Sequence, residues 1–542
     1  MFFSIRSLAA AAVLVTHAAS RAAAQPATSP GAPQPRPTLV VFLTVDQMRA
    51  DYLTTRFGAG LTGGLKRLRD GGALFTNAHQ DHAITETAPG HASTLSGRFP
   101  AHTGIVRNAV GVQDPRSPLL AGGTTGPASP FRFRGSALVD WMRAADPRSR
   151  ALSVSRKDRG AIFPMGRARQ SVFWYGGNGR FVTSRYYADT LPDWVKRFDG
   201  DTTGSPAPIG AVAARYAGRR WTPIAPAIET EPDSVPVENG GQDYVFPHVL
   251  SADPDTAART LAEFPFMDEA TLGFALAGVR AMHLGAGPAP DVLAISLSTT
   301  DAIGHRYGMD SRELHDQILR LDRSLGAFLD TLFTLRDSAR VLVALTADHG
   351  MQPYPALHFP PNAPRHGYAE VGSALTGARA ALAARGVTGG GFEFESGMLT
   401  VDSAAFARAG VSADSTVAAM AAELRRVPGV ASVLLRRDLA PRAAAGDVYA
   451  RRWLHMTPDD SPAAAFVSLA PFYYWGGTNS ATHGSPNDDD THVPVLFWGA
   501  PFRPGQYPAF ARVVDMAPTL AAVLGVRPTE ALDGVVLQAA LR

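Results

Sequence analysis

No cysteine occurs among the 542 residues. That excludes a disulfide-stapled fold, a thiolate metal site and lipid attachment at an N-terminal cysteine, so stability must come from the core, with metals on other donors the further source left open. Net charge is also scarce. Lys and Arg total 51 against 48 Asp and Glu, a formal +3. Loss of Arg6 and Arg21 with a leader leaves 49 against 48, a charge of +1 that offers no footprint for nucleic acid. Long apolar runs are missing too. The run from Leu8 to Val15 is about half of the ~20 residues that a spanning helix requires, and no later segment reads as a membrane span. There is no convincing internal repeat, and nothing in the pattern signals an oligomeric state.

With 45% hydrophobic and 18% charged residues, the chain reads as a large catalytic domain carrying insertions rather than as a disordered protein. Residues 1–24 read as a signal peptide: Arg6 precedes the short apolar run, and Ala22 and Ala24 form an A-x-A cleavage pattern before Gln25. A membrane anchor is the competing reading of the same segment. Residues 25–37, QPATSPGAPQPRP, carry no apolar pattern and read as a Pro-rich tether. A secreted or periplasmic location follows from the leader.

From Thr38 onward short apolar runs recur: TLVVFLTVD to Asp46, ALSVSRKDRG from Ala151, DVLAISLSTTD to Asp301, RVLVALTADHG to Gly350 and HVPVLFWG from His492. Continuous runs of this length predict strands of a largely parallel sheet buried on both faces. Between them lie helical patterns, clearest in SRELHDQILRLDRSLGAFLDTL, where Leu314, Ile318, Leu321, Leu325, Phe328 and Leu332 share one face. The alternation predicts an α/β three-layer sandwich. Ligands of such sheets bind beyond the carboxyl ends of the strands, where Asp46, Asp301, Asp348 and His349 are expected. Two stretches break the rhythm, about 186–250 and 355–480. The core is thus assigned to 38–354 and 481–542, and the second insertion to a small α+β cap with strand-like GMLTVD and VASVLLRRD around a helix bearing Val417, Met420 and Leu424.

Asp301 and His305 in STTDAIGHRYG, with Asp348 and His349 in TADHG, supply oxygen and imidazole donors suited to zinc and similar divalent ions. One D-x-x-x-H alone is weak evidence, but two clusters at strand ends reinforce each other. In TETAPGHASTLSGRFPAHTGIVRN, Thr87 stands at a helix start with Pro89 in the first turn. On its own segment Thr87 reads first as an N-cap. The less favoured reading there is a nucleophile, activated by a metal and by the helix N-terminus. Lys157 and Arg159 in SRKDRGAIFP, taken alone, read as a solvated basic pair.

Together, a first strand ending in Asp, T-x-P-G-H with a downstream Asn, STTD-x-x-G-H, T-x-D-H-G and a late T-H-G-S-P…T-H-V-P-x-x-F-W-G resemble the alkaline phosphatase superfamily. The resemblance is greatest to its phosphate-irrepressible bacterial alkaline phosphatases with a threonine nucleophile, and it runs from about residue 38 to 540. It implies an alkaline-phosphatase-like sandwich and a zinc held by Asp301, His305 and His483. It implies a second zinc held by Asp46, Asp348 and His349, with Thr87 bound to it through its oxygen. His492 competes with His483 for the last place, but it opens an apolar strand and suits a structural role better. The resemblance further implies that Asn108, Lys157 and Arg159 hold the phosphoryl oxygens. The expected reaction is hydrolysis of phosphate monoesters through a phospho-threonine, on two metals roughly 4 Å apart.

The nearest rival is a nucleotide pyrophosphatase/phosphodiesterase of the same fold, which shares the ligands and threonine but lacks the Lys/Arg pair. A sulfatase is disfavoured because TAPGH supplies neither an oxidisable residue nor the arginine of that branch. The large magnesium-assisted phosphatases use serine and further carboxylates that this chain does not show, so two metals are expected rather than three. A binding protein that has lost its chemistry is a remote further reading.

Overall fold

The computed structural model describes residues 35–201, 205, 210–359, 367–389, 391–475 and 481–542. The predicted leader and most of the tether lie outside these residues. Ten strands share one sheet: β1 (Leu39–Val45), β2 (Ala73–His79), β3 (Leu119–Leu120), β4 (Ala151–Ser155), β5 (Ser171–Tyr175), β6 (Phe181–Ser184), β7 (Asp291–Leu297), β8 (Val341–Thr346), β9 (Val495–Trp498) and β10 (Gly505–Arg512). Their order is β10-β2-β9-β8-β1-β7-β4-β5-β6-β3. In β1, LVVFLTV, every residue is buried, the signature of a strand covered on both faces.

The four central strands β8, β1, β7 and β4 run parallel, with Leu39 opposite both Val341 and Asp291. Their carboxyl ends lie side by side, and the segments that leave them bring Asp348 and His349, Asp46, Asp301, and Lys157 to one rim. Three details differ from expectation. The strand begins at Val495, not His492, and β9 is antiparallel to both neighbours. An apolar run buried on both faces carries no mark of direction; the chain re-enters the sheet from the far side after the insertion. Asp301 is not at a strand end but is the third residue of a helix, Thr299–Tyr307.

Helices cover the sheet. Four matter here: α1 (Thr87–Thr94), α2 (Asp158–Ile162), α3 (Thr299–Tyr307) and α4 (Arg312–Leu335). Ser311 caps α4 by accepting the Leu314 amide at 3.1 Å, and all six apolar residues predicted for its inner face are buried. The described residues of 186–250 form short helices, turns and a pair of two-residue strands.

The chain after β8 builds a second, antiparallel sheet in the order 392–395, 398–401, 463–469, 430–435. Its side chains alternate with the two-residue period of a strand. Leu399, Val433, Leu435, Ala465 and Val467 face the helices Val371–Ala384 and Ala413–Leu424, whereas Met398, Leu434 and Phe466 face the other way. There they meet Trp453 and Met456, and also Ala83 and Ile84 from the connection between β2 and α1.

Asp199, fully buried, accepts the Phe181 amide at 3.0 Å through Oδ1, while Oδ2 has no partner. Burial pushes its pKa up to about 7. Its protonated form is favoured by folding, so its stabilising contribution is present below the ordinary carboxylate value and lost as pH rises through about 7. Asp199→Asn keeps the acceptor and carries no charge. It should raise Tm more at pH 8 than at pH 5, the difference being roughly one or two degrees, read by calorimetry at both pH values.

Candidate metal centre and nucleophile

Asp46 follows β1 directly, and the next residue, Gln47, has φ +65, an unusual conformation for a side chain other than glycine. This turn lets the Gln47 amide donate to Asp348 Oδ1 at 3.1 Å and its side-chain Nε2 donate to Asp301 Oδ1 at 3.1 Å. The residue after Asp46 thereby ties the Asp348 and Asp301 carboxylates to the turn that carries the third. All three are buried, Asp46 and Asp348 completely.

Asp46, Asp348 and His349 present ligand atoms that all lie within 4.8 Å of one another, and so do Asp301, His349 and His483. His305 Nε2 joins the second group, 3.3 Å from Asp301 Oδ1 and 3.2 Å from His483 Nε2. The three imidazoles share one device. His305 donates Nδ1–H to Ala481 O at 2.7 Å, His483 to Thr85 O at 2.6 Å and His349 to Gly350 O at 2.9 Å. A carbonyl can only accept, so each ring keeps its Nε2 lone pair for the site.

These donors are also left short of partners. Asp46 Oδ1 and His349 Nε2 make no hydrogen bond although buried, and the only close polar neighbours of Asp46 Oδ2 and Asp348 Oδ2 among the described residues are Lys157 at 2.7 Å and His91 at 3.1 Å. Such groups are costly unless a cation meets them, and oxygen with imidazole nitrogen is the donor set of a hard or borderline divalent ion. The residues therefore fit a metal.

The chain itself supplies two cations from the junction of β4 and α2: Arg156, whose Nη2 is 3.5 Å from Asp301 Oδ2, and, more closely, Lys157. Its Nζ is 2.7 Å from Asp46 Oδ2, 2.7 Å from Asp301 Oδ2 and 3.1 Å from Thr87 Oγ1. The electrostatics follow. Burial, then the Asp301 and Asp348 charges, raise Asp46. At Asp301 burial also pushes upward, but Lys157 and then His305 outweigh it and hold the carboxyl well below its usual range. Burial and then His483 hold His349 well below the ordinary imidazole value, keeping it neutral. At His483 burial opposes protonation, yet Asp301 prevails and raises it.

Thr87 is the first residue of α1, and the N-cap position belongs to Glu86, so the capping role read from the segment alone does not hold. Its hydroxyl meets Lys157 instead. His91, one turn on, sets the helix against the carboxylates: Nδ1 donates to Thr87 O at 2.9 Å and lies 3.1 Å from Asp348 Oδ2, while Nε2 accepts from Ser296 Oγ at 2.9 Å. Asn108 is anchored at both ends. Its backbone N–H donates to Glu86 Oε2 at 2.6 Å and its Oδ1 accepts the Ala88 amide at 2.8 Å, so the side-chain oxygen is committed and the Nδ2 donors are the groups left for a ligand. Arg159 sits on α2, partly exposed, with a buried Nε that has no partner and an Nη1 only 3.6 Å from Asp158. No contact joins it to Thr87 or Lys157 among the described residues.

His492 lies elsewhere: it stacks on His79 at 4.9 Å, and its Nε2 donates to Thr76 O at 2.8 Å. Sequence reasoning missed Gln47, Glu86 and His91. The spacing of His91, four residues after Thr87 and so on the same helical face, was the available signal. For Gln47 there was only adjacency to Asp46.

The family described as type I phosphodiesterase / nucleotide pyrophosphatase matches residues 40–363. The chain is 29% identical over 531 residues to a protein named calcium-transporting ATPase from Myroides odoratus, covering 93% of this chain and 95% of that one. It is 29% identical over 537 residues to alkaline phosphatase PhoK of Sphingomonas sp, covering 92% and 90%. It is 27% identical over 516 residues to alkaline phosphatase PafA of Elizabethkingia meningoseptica, covering 91% and 92%. The crystal structure of wild-type PafA matches with TM-score 0.84 at 26% identity over 94% of this chain and 99% of that one. Another PafA structure is of a variant changed at a threonine, an asparagine, a lysine and an arginine, with the threonine-to-asparagine and lysine-to-arginine spacings found here for Thr87, Asn108, Lys157 and Arg159.

Gly90 is where α1 touches the loop that carries Asp348 and His349: a Cβ there would stand 2.3 Å from Asp348 O. Gly90→Ala must push α1 off Asp348. Elemental analysis should find the divalent-metal content of the purified variant reduced, with circular dichroism unchanged.

Proposed function

Because this chain belongs to the type I phosphodiesterase / nucleotide pyrophosphatase family, within the alkaline phosphatase superfamily, we propose that it hydrolyses phosphate monoesters through a phospho-Thr87 intermediate. The observation that carries this reading is the Lys157 ammonium, 3.1 Å from Thr87 Oγ1 at the N-terminus of α1. A monoester presents a dianionic phosphoryl group, and a buried cation beside the nucleophile matches that charge. A diester has one charge fewer and a second substituent to house.

When bound, two zinc ions, one on Asp46, Asp348 and His349 and one on Asp301, His305 and His483, would supply Lewis-acid stabilisation of the attacking and departing oxygens. The chain does the rest. Thr87 Oγ1 gives up its proton, which ends on the departing ester oxygen, and forms a bond to phosphorus as the phosphorus–ester oxygen bond breaks with its electron pair going to that oxygen; Lys157 stabilises negative charge on Oγ1. The Asn108 Nδ2 donors, Lys157 and Arg159 hold the non-bridging oxygens, with the first amides of α1 adding their dipoles. Water then adds to phosphorus, the bond to Oγ1 breaks, and Thr87 regains its proton as phosphate departs. Ester and water have become alcohol and phosphate. The leader read at residues 1–24 would deliver the enzyme to the periplasm or the exterior.

The description of the matched family favours a second reading, phosphodiester or pyrophosphate hydrolysis on the same ligands. An aryl phosphate monoester, an aryl diester and an aryl sulfate, assayed with zinc-loaded protein, separate the two. The monoester should be preferred, and Lys157→Ala should lower its kcat/KM about a hundredfold or more while affecting the diester less. A better diester rate, or indifference of the monoester to Lys157→Ala, would overturn the monoesterase reading. Thr87→Ala should abolish acid-stable phosphate labelling of the protein during turnover, and a chelator should stop turnover until zinc is restored.

A further inference from the structure

Two segments that enter the site are rooted outside the ten-stranded sheet. Ala83 and Ile84, just before Thr87, are fully buried in the cluster formed by Met398, Leu434, Trp453 and Phe466, and Val106, just before Asn108, packs on the same cluster. The inserted sheet therefore grips both the approach to the nucleophile and the approach to Asn108.

The grip extends to polar groups. Between the strands 392–395 and 398–401 lies a two-residue turn, Ser396 at φ +49 and Gly397 at φ +84. Successive positive φ values mark the tight hairpin turn whose twist matches its strands. Its first residue donates Ser396 Oγ–H to Glu86 Oε1 at 3.4 Å. The other oxygen of the same carboxylate, Oε2, takes the Asn108 amide at 2.6 Å. The residue before the turn, Glu395, forms an ion pair with Arg107, the neighbour of Asn108.

A carboxylate one residue from the nucleophile of an anionic ester needs a reason, because it repels the substrate. Helix capping is not that reason, since Glu86 makes no side-chain bond to the first turn of α1. Its bonds go to Asn108 and to the hairpin.

We propose that Glu86 is a positioning residue for Asn108 and that the hairpin tip, through Ser396 and Glu395, locks the pair, so the inserted sheet sets where the Asn108 amide meets the substrate. This rests on the role given to Asn108 in the phosphatase reading. With Asn108 N–H held by Glu86 and Oδ1 held by Ala88, the side-chain oxygen is committed and the Nδ2 donors are left for a ligand. Release of Glu86 frees the backbone end of that clamp. The insertion then does more than shape the mouth of the pocket: it contributes to the alignment of a phosphoryl-contacting group.

A double-mutant cycle tests this. Asn108→Ala, Glu86→Ala and the double variant are assayed as full-length, metal-loaded proteins on whichever of the aryl monoester or diester is the better substrate. Bound metal and Tm are measured in parallel. Glu86→Ala should lower kcat/KM about tenfold, the order expected for a misplaced hydrogen bond to a charged group. Added to Asn108→Ala, it should change the rate less than about twofold. Glu86→Gln, which keeps an acceptor for the Asn108 amide, should recover most of the loss.

If Glu86→Ala is silent, or if its effect multiplies in full with that of Asn108→Ala, the proposal falls. Should Glu86→Ala unfold or lose metal, Ser396→Ala with Glu395→Gln on the hairpin serves instead. A severalfold loss confined to the Asn108 background supports the proposal, and an equal loss in both backgrounds overturns it. Preference for the diester would overturn the phosphatase reading while leaving this coupling measurable.

Discussion

Three carboxylates, Asp46, Asp301 and Asp348, are brought together where almost no water reaches them. Their mutual repulsion in a low dielectric is the constraint around which the rest of the site is arranged. Lys157 answers it with one ammonium between Asp46 and Asp301. Gln47 answers it with two hydrogen bonds to Asp348 and Asp301. Histidines whose Nδ1 protons are committed to carbonyls complete a donor set that invites divalent cations. Burial decides the balance carboxylate by carboxylate: it prevails at Asp46, and the neighbouring positive groups prevail at Asp301.

That constraint also explains the backbone irregularities near the site. Gln47 is left-handed because its amide and its side chain must reach different carboxylates from one turn. Gly90 lacks a side chain because α1 lies against the backbone of Asp348. Each is a local cost that the sheet beneath can impose, since β8, β1 and β7 hold register through continuous parallel ladders.

Much of this was legible in the sequence, for a physical reason. Central strands of a sheet covered on both faces are long aliphatic runs, and the polar residues that end them stand out, so Asp46, Asp348 and His349 announced themselves. The inner face of α4 was equally plain from its spacing. The direction of β9 was not, because a strand buried on both faces has no polar side to orient it, and only the route of the chain decides. Short strands such as β3 and β6 passed unnoticed, since two or four residues make no pattern. Glu86 was illegible for another cause. Its partners, Asn108 and Ser396, lie 22 and 310 residues away, and no local rule connects them.

The route of the chain has one more consequence. After β8 supplies Asp348 and His349, the whole inserted sheet intervenes before His483 appears, and β9 then threads antiparallel between β8 and β2. A ribosome that has released residues 1–470 has released every parallel central strand, yet only part of the donor set and no wedge between β8 and β2. The full set of Asp and His donors exists only once nearly the whole polypeptide is present, so the candidate centre is among the last features of the fold that synthesis completes.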